Sequence, residues 1–329
     1  MIINNLKFPY YRGRRLRSSP AIRQMAAEHH LHASDLIAPL FVIEGEGQKE
    51  PIASMPGYYR FSLDLIAGQA EKLHKLGIPA VLLFAKVPDE KKDNLGSESL
   101  NPDGLMQRTV KTLKGRIPEL CVMTDVALDP YSSDGHDGIV KDGYIMNDPT
   151  LEVLSKMSVS HAEAGADFVA PSDMMDGRIQ YIREALEERS FHDTGIMAYS
   201  AKYASCFYGP FRDALDSAPG FGDKKTYQMD PPNVKEAIRE AKTDENEGAD
   251  IIMVKPGIPY LDVVRAISES VSLPVASYHV SGEYAMIKAA AEKGWLDEQA
   301  AVLESLIAFK RAGCRLIATY FAEDVAHWL

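Results

Sequence analysis

Eight short apolar runs, separated by longer amphipathic segments, constrain the fold of this 329-residue chain more than any other feature. Each run is apolar along most of its length, which is typical of parallel strands that are buried on both faces. Several of the segments between them end in glycine, which can adopt the left-handed conformation that stops a helix. The runs are residues 36–43, 80–85, 120–128, 167–170, 195–199, 250–255, 274–279 and 315–321.

The intervening segments have the apolar spacing of helices. Eight strands alternating with helices predict an α/β fold, specifically a (β/α)8 TIM barrel over residues 35–329, and a doubly wound open sheet is the alternative. Residues 1–34 precede the first strand and are polar and basic, so we interpret them as an N-terminal arm that contacts other subunits, with simple disorder as the alternative. The predicted helices are residues 63–76, 150–164, 178–188, 232–247, 260–270, 285–293 and 299–312.

Charge and cysteine content narrow the functional classes. The formal net charge is −11, which argues against a nucleic-acid-binding role. Four arginines between residues 12 and 17 are the local exception: they favour a solvated arm or ion pairs to a neighbouring subunit over contact with nucleic acid or membrane. The three cysteines form no CxxC motif, and no stretch approaches the ~18 apolar residues of a membrane helix. We therefore expect a cytoplasmic protein with no membrane partner.

Polar residues collect at the ends of the predicted strands. In a TIM barrel the active site lies at the carboxyl ends of the strands, so these side chains should converge on one rim. Six strands contribute, and two lysines at the ends of adjacent strands are unusual. The residues are Asp125, Ser172, Asp173, Lys202, Lys255, Ser281 and Tyr320.

The two lysines are candidate nucleophiles. Lys255 ends an apolar strand in IIMVKPG, and Lys202 lies among aromatic and small residues in MAYSAKYASCFYGPF. Burial and a second nearby cation both lower the pKa of a lysine, which leaves a neutral amine able to attack a carbonyl and form a Schiff base. A rim lysine with its ammonium in solvent and a phosphate-binding cation remain alternatives. Class I aldolases also use one such lysine, so one alone would not name the reaction.

Two charged clusters flank these lysines. The loop after the third strand, TDVALDPYSSDGHDGIVKDGY, contains Asp125, Asp129 and Asp137, and their carboxylate oxygens suit Mg²⁺. The loop has no cysteine, so it does not suit a thiolate zinc site. A solvated acidic lid is the alternative. Farther along, Arg212 and Lys224 belong to a cationic cluster that could bind a small acidic substrate, or could be ordinary surface charge.

Together these stretches resemble the porphobilinogen synthase (5-aminolevulinate dehydratase) family. The resemblance covers nearly the whole chain from about residue 35, and SAKYASCFYGPFRDA and MVKPG together are its most specific segments. Other matching segments are APLFVIEG, SMPGYYRFSLD, TDVALDPYSSDGHDG, HAEAGADFVAPSDMMDGRI, YQMDPPN, EGADIIMVKPGIPYLD, VSGEYAMI and ESLIAFKRAGCRLIATYFA.

The resemblance implies an activity and residue roles. Members of the family condense two 5-aminolevulinate molecules to porphobilinogen with loss of two waters, in tetrapyrrole (heme and chlorophyll) biosynthesis. The lysine matching Lys255 holds the first substrate at the P site, and the lysine matching Lys202 holds the second at the A site. The remaining matched positions are Arg212, Lys224 and Gln228 for the A-site substrate, Ser281 and Tyr320 for the P-site carboxylate, and Asp125 and Ser172 near the A-site amine.

The resemblance also bears on metals and assembly. Zinc-type members carry three cysteines where this chain has Ala127, Asp129 and Asp137, so zinc is not expected, and the two aspartates are candidate ligands for an active-site metal. Glu240 matches a glutamate that binds an allosteric Mg²⁺ in magnesium-responsive members, although pattern alone makes it an ordinary helix glutamate. No organic cofactor is expected. The family forms homo-octamers whose arms wrap neighbouring subunits, which suits residues 1–34.

Two rival functions remain at this stage. A class I aldolase would need one Schiff-base lysine and a phosphate-binding loop, and VSGEY is a poor phosphate loop. A non-catalytic barrel that serves as a scaffold would have lysines with ordinary pKa values and no turnover.

Overall fold

The twelve strands fall into one large sheet and one small hairpin. A computed structural model describes residues 8–217 and 219–329, so the first seven residues of the predicted arm lie outside the described residues. In chain order the strands are β1 Leu36–Ile43, β2 Lys49–Pro51, β3 Tyr59–Ser62, β4 Ala80–Ala85, β5 Cys121–Val126, β6 Ile139–Lys141, β7 Tyr144–Met146, β8 Phe168–Pro171, β9 Gly195–Lys202, β10 Ile251–Lys255, β11 Val275–His279 and β12 Leu316–Thr319.

Eight of these strands close into a parallel barrel. The order β1, β4, β5, β8, β9, β10, β11, β12 follows the chain, and β12 pairs back onto β1 through Leu36 with Ile317 and Ile37 with Ala318. Closure confirms the predicted (β/α)8 TIM barrel and excludes the doubly wound alternative, whose sheet would stay open. The hairpin of β2 and β3 extends the sheet beside β1, and β6 pairs with β7 in the loop after β5.

Helices surround the barrel, and their apolar faces pack on the strands. The C-terminal glycines of α7 and α10, Gly248 and Gly313, have φ of +104° and +114°, which confirms the predicted left-handed stops. The helices are α1 Pro20–Met25, α2 Leu63–Lys75, α3 Leu105–Arg116, α4 Asn147–Glu163, α5 Arg178–Glu188, α6 Gly209–Leu215, α7 Val234–Glu247, α8 Leu261–Ser268, α9 Ser281–Glu292, α10 Glu298–Ala312 and α11 Ala322–Trp328.

Most of the described part of the predicted arm, residues 8–30, is exposed and makes no contribution to the core. Its aromatic residues Phe8, Tyr10 and Tyr11 are 75, 78 and 61% exposed, and α1 buries no residue. Leu31, nearer the barrel, is buried in the core. Within the described ranges, no helix combines the length and the apolar character that crossing a membrane requires.

Candidate active site

Lys202 and Lys255 lie side by side at the carboxyl rim of the barrel. Each is the last residue of its strand, β9 and β10, and the two are register partners. Neighbouring strands are about 4.8 Å apart, so the two side chains start from adjacent points of the rim. Both side chains are buried. The structure therefore brings the two predicted nucleophiles into one interior region.

Lys255 is enclosed by aromatic rings. Its Nζ lies 4.5 Å from the ring centre of Tyr278, 4.7 Å from Phe211, 5.2 Å from Tyr199 and 5.4 Å from Tyr208. Burial, and then the positive charge of Lys202, lower the pKa of Lys255 to about 7. A large fraction of this amine is therefore neutral near pH 7, as a carbonyl nucleophile must be.

Sequence reasoning did not single out these four rings. Tyr199 and Tyr278 lie on β9 and β11 at the level of the lysine, and the other two come from the turn and helix that follow β9. The available signal was the position of tyrosines near the ends of the strands that flank β10.

Lys202 has polar surroundings instead. Its Nζ donates a hydrogen bond to the backbone carbonyl of Ser172 and lies 3.4 Å from Oδ2 of Asp137. Ser172 follows β8, and Asp137 belongs to the loop after β5. Ser172 therefore contacts Lys202 through its backbone. The two lysines thus occupy different environments, one apolar and one hydrogen-bonded.

The carboxylates of Asp129 and Asp137 share the ammonium group of Lys224. The Lys224 Nζ lies 2.7 Å from Asp137 and 3.2 Å from Asp129. Burial opposes the negative charge of Asp137. The positive charges of Lys202 and Lys224 nevertheless lower its pKa to about 2. Burial raises the pKa of Asp129, against the influence of Lys224.

This arrangement bears on the predicted active-site metal. Both carboxylates already hold an ammonium group, and the described residues contain no group of three His, Cys, Asp or Glu side chains that could bind a metal ion. The donor set at Asp129 and Asp137 therefore does not fit a resident metal in this arrangement, and Lys224 supplies the local positive charge.

Asp125, at the end of β5, has an unused oxygen. The carboxylate is buried, and its Oδ1 has no hydrogen-bond partner among the described residues. Burial, and then the charge of Asp129, raise the pKa of Asp125 to about 7. Near neutral pH this group can both donate and accept a proton, which is the property required of a general acid or base.

The other predicted substrate contacts divide between the two lysines. Near Lys255, the Ser281 Oγ accepts the Phe211 N–H at 2.9 Å, and the Tyr320 hydroxyl accepts the Tyr278 O–H at 3.0 Å. On the other side, Gln228 follows Lys224 by one helical turn, and its N–H donates to the Lys224 carbonyl.

Two A-site candidates have side chains available for new contacts. The Gln228 side chain is buried, and its Oε1 lacks a partner among the described residues. Arg212 is half-buried on α6. The Gln228 amide oxygen and the Arg212 guanidinium can therefore both make new contacts.

Two loops cover the rim, and His136 joins them. We name residues 127–146 the first lid and residues 219–230 the second lid. The His136 Nε2 lies 3.1 Å from the Phe221 carbonyl, which can only accept, so this nitrogen carries the hydrogen. Nδ1 then accepts from the Tyr227 hydroxyl at 3.1 Å. The sequence showed His136 only as a loop residue, and its role as a link requires the folded geometry.

Glu240 lies outside the barrel rim, on α7. It lines a cavity of about 730 Å³ together with Asp176 and Glu236, and Gln228 lines the same cavity. Burial, and then the charge of Asp244, raise the pKa of Glu240. Because Mg²⁺ keeps most of its waters and needs only one or two carboxylates, these side chains fit a hydrated Mg²⁺.

Fold and site together define a TIM-barrel enzyme with paired amines suited to carbonyl condensation. The family model for delta-aminolevulinic acid dehydratase matches residues 10–328, and the chain belongs to this family. It is 55% identical over 97% of its length to the chloroplastic delta-aminolevulinic acid dehydratase of Physcomitrium patens, of which it covers 74%. It is 51% identical to the enzyme of that name from Halalkalibacterium halodurans, with 97% of each chain covered.

A solved structure supports both fold and activity. The chain superposes with a TM-score of 0.95 on the delta-aminolevulinic acid dehydratase of Toxoplasma gondii in complex with porphobilinogen. The two sequences are 53% identical, and the superposition covers 97% of this chain and 91% of the Toxoplasma gondii chain. The protein is therefore a lyase of tetrapyrrole biosynthesis that condenses two 5-aminolevulinate molecules to porphobilinogen. This identification excludes the aldolase and scaffold alternatives.

Proposed function

We propose that Lys255 and Lys202 each form a Schiff base with one 5-aminolevulinate during this condensation. The observation that carries the proposal is their pairing in register at the ends of β9 and β10, both buried. Two ketone substrates attached to neighbouring amines are held close enough to react, which replaces a bimolecular encounter by an intramolecular step.

The surroundings of each lysine support a division of labour. Lys255, within its aromatic rings, takes the P-site substrate, whose carboxylate contacts Ser281 and Tyr320. Lys202 takes the A-site substrate, which contacts Arg212, Lys224 and Gln228. The Lys224 ammonium has three protons, and two of them point to Asp137 and Asp129, so one remains for a substrate carboxylate.

The reaction then balances as follows. Each ketone loses one water when it condenses with its lysine, and loss of a proton converts one iminium to an enamine. The enamine carbon attacks the iminium carbon of the other substrate. The amino group of that attacked substrate then adds to the carbon that carries the first lysine and displaces this lysine, which closes the ring. Elimination breaks the bond to the second lysine with loss of a ring proton, for a net loss of two waters. Asp125, with its pKa near 7 and its free oxygen beside the lysines, exchanges protons with the A-site amine.

Borohydride reduction tests the covalent step. Reduction in the presence of 5-aminolevulinate should add substrate mass to Lys255, and under some conditions to Lys202, in peptide maps. Lys255→Met should lower activity by several orders of magnitude, because no other group can replace the P-site imine. Efficient reduction that leaves both lysines unmodified would refute the proposal.

We further infer that Mg²⁺ stimulates the enzyme from the cavity at Glu240 and that zinc is not required. Ala127, Asp129 and Asp137 offer no thiolate, and Lys224 already lies between the two aspartates. Glu240 lies on α7, outside the strands that carry the two lysines, so an ion there would act by stabilising whichever assembly binds it. The assembly that we propose is the homo-octamer, in which the arm, residues 1–34, covers its exposed aromatic side chains on a neighbouring subunit.

We also propose a cytoplasmic location. Cys121, Cys206 and Cys314 are free thiols, as in a reducing compartment. The Physcomitrium patens relative is named as a chloroplastic enzyme. The names of the Halalkalibacterium halodurans and Synechococcus elongatus relatives include no organelle.

A further inference from the structure

Glu283 is a buried carboxylate that receives hydrogen bonds from two different loops. It lies in the first turn of α9 and is 0% exposed. Its Oε2 accepts the Val280 N–H, and its Oε1 accepts the Ile258 N–H, each at 2.5 Å. Burial raises the pKa of Glu283 to about 8, and the backbone N–H groups of Val280 and Ile258 oppose this shift.

The two loops that Glu283 joins carry the two ends of the P site. Ile258 comes three residues after Lys255, in the turn that leaves β10. Val280 comes immediately before Ser281, in the segment that leaves β11. One side chain therefore fixes the backbone that carries the Schiff-base amine to the backbone that carries a candidate carboxylate contact.

The backbone on each side of this junction has no free space. A Cβ on Gly257 would lie 2.1 Å from Cε1 of Phe309, and a Cβ on Gly282 would lie 2.6 Å from the Phe207 carbonyl oxygen. Because these segments are in close contact with their neighbours, a displacement of either loop is transmitted to the side chains it carries.

Further hydrogen bonds connect the same junction to the surroundings of Lys255. The Ser281 Oγ accepts the Phe211 N–H, and the Phe211 ring lies 4.7 Å from the Lys255 Nζ. The Tyr208 hydroxyl donates to the Lys255 carbonyl at 3.1 Å. Two routes therefore lead from Glu283 to Lys255, one along the backbone from Ile258 and one through Ser281 and Phe211.

We propose that Glu283 is a positioning residue that sets the separation between the Lys255 amine and the Ser281 hydroxyl, so that one 5-aminolevulinate is held at its ketone and its carboxylate together. The proposal rests on Lys255 as the P-site Schiff-base lysine. If Glu283 only capped α9, its substitution would lower the stability of the fold. The protein that remained folded would then be trapped equally well at Lys255 and at Lys202.

Glu283→Gln tests this proposal with little change in shape. The amide has one acceptor and one donor group, so one of the two backbone N–H groups loses its partner and faces an N–H₂ group. We expect kcat/KM to fall about 10- to 100-fold, the effect of a small misplacement of a reacting group. The rate of borohydride trapping at Lys255 should fall with it, while trapping at Lys202 is retained.

Glu292→Gln is the matched control, because Glu292 is exposed at the other end of α9. If the unmodified protein is not trapped at Lys255, the Schiff-base assignment is wrong. If the unmodified protein is trapped there, the result for Glu283→Gln tests the positioning role alone. Equal loss of trapping at both lysines, or wild-type kinetics in a folded Glu283→Gln enzyme, would overturn it.

Val280→Pro keeps the proposal testable if Glu283→Gln does not fold. Proline removes the second N–H that Glu283 accepts, and the φ of Val280, −77°, is one that proline adopts. The same selective loss at Lys255 is expected from this variant, and a folded Val280→Pro enzyme with normal trapping at Lys255 would refute the proposal.

Discussion

The Nζ of Lys224 lies between two carboxylates, 2.7 Å from Asp137 and 3.2 Å from Asp129, although the lysine follows them by about ninety residues. Zinc-type members of the family carry cysteines at these two positions. In this chain the Lys224 ammonium group supplies the positive charge beside the two carboxylates. The protonation of Asp129, Asp137 and Lys224 is therefore coupled across the two lids.

Removing Lys224 should leave two buried carboxylates without their shared partner. For Lys224→Met we expect the free energy of unfolding to fall by about 3 kcal/mol, typical of a broken buried ion pair. Activity should fall by more than about 100-fold, because the A site also loses its cation. Lys225→Met is the control, since Lys225 is exposed and lies 3.9 Å from Asp223. A Lys224→Met enzyme within tenfold of the unmodified activity would contradict this account.

The pH dependence of trapping at Lys255 follows from its lowered pKa. The neutral amine is the reactive form, so with a pKa of about 7 the trapping rate should rise through pH 7 and level off above it. Lys202 contributes to the lowering, so Lys202→Met should raise the pKa of Lys255 and move the midpoint to higher pH. The rate of borohydride trapping as a function of pH measures both. An identical midpoint in the two proteins would show that the lysines do not interact.

Much of the barrel could be predicted from the sequence because its strands are buried on both faces. The strands β1 and β4 match the predicted bounds, residues 36–43 and 80–85. The strand β9 extends three residues beyond the predicted end at residue 199, because Ala201 and Lys202 pair with β10. Their small or charged side chains carry no strand signal, and only the neighbouring strand places them in the sheet.

The bounds of α3 were not predicted, although the barrel pattern requires a helix in this segment. Its buried positions include Leu105, Val110 and Leu113, but lysines, an arginine and Gly115 lie between or beside them and weaken the helical pattern. Packing against α2, α4 and the barrel strands supplies what the local sequence lacks.

The candidate site divides in the same way. Lys202 and Lys255 were predicted to be close because both end adjacent parallel strands, which is a rule of topology. The link from Glu283 to Ile258 and the pairing of Lys224 with Asp129 and Asp137 join distant parts of the chain through side chains whose direction no periodicity specifies. Such contacts require the folded coordinates.

The proposed Mg²⁺ site at Glu240 predicts a selective loss of stimulation. Glu240→Ala should remove most of the Mg²⁺ stimulation and leave basal activity and trapping at both lysines intact, because Glu240 lies on α7 and not on the strands that carry the lysines. Glu304→Ala, an exposed glutamate on α10, is the control. Zinc-selective chelation of the purified enzyme should leave it active. Full stimulation of Glu240→Ala by Mg²⁺, or inactivation by the zinc chelator, would show that the metal assignment is wrong.

The arm should control assembly. Phe8, Tyr10 and Tyr11 expose most of their rings in the single chain, and burying them on a neighbouring subunit would favour association. Deleting residues 1–25, which keeps the buried Leu31, should give assemblies smaller than an octamer by light scattering. A deleted protein that remains octameric would mean that other surfaces hold the assembly together.

The last prediction concerns the link between the two lids. His136 connects them through the Phe221 carbonyl and the Tyr227 hydroxyl, and the same hydroxyl accepts the Asp137 N–H at 3.3 Å. His136→Ala removes its bonds to Phe221 and Tyr227, and Tyr227→Phe removes the bonds to His136 and to the Asp137 N–H while keeping the ring. Because closed lids exclude water from the imines, we expect faster amide hydrogen exchange in both lids and a higher KM in each variant.

Tyr227→Phe keeps the aromatic ring, so comparing it with His136→Ala separates the loss of hydrogen bonds between the lids from a loss of packing. His192→Ala is the matched control, since His192 is exposed after α5 and pairs with Glu187, which is itself exposed. If exchange rises in the first lid alone, the two loops move independently and His136 only packs its own loop. Unchanged exchange in both lids of His136→Ala would mean that the hydrogen bonds of His136 do not hold the rim closed, and that other contacts, such as those of Lys224 with Asp129 and Asp137, are sufficient.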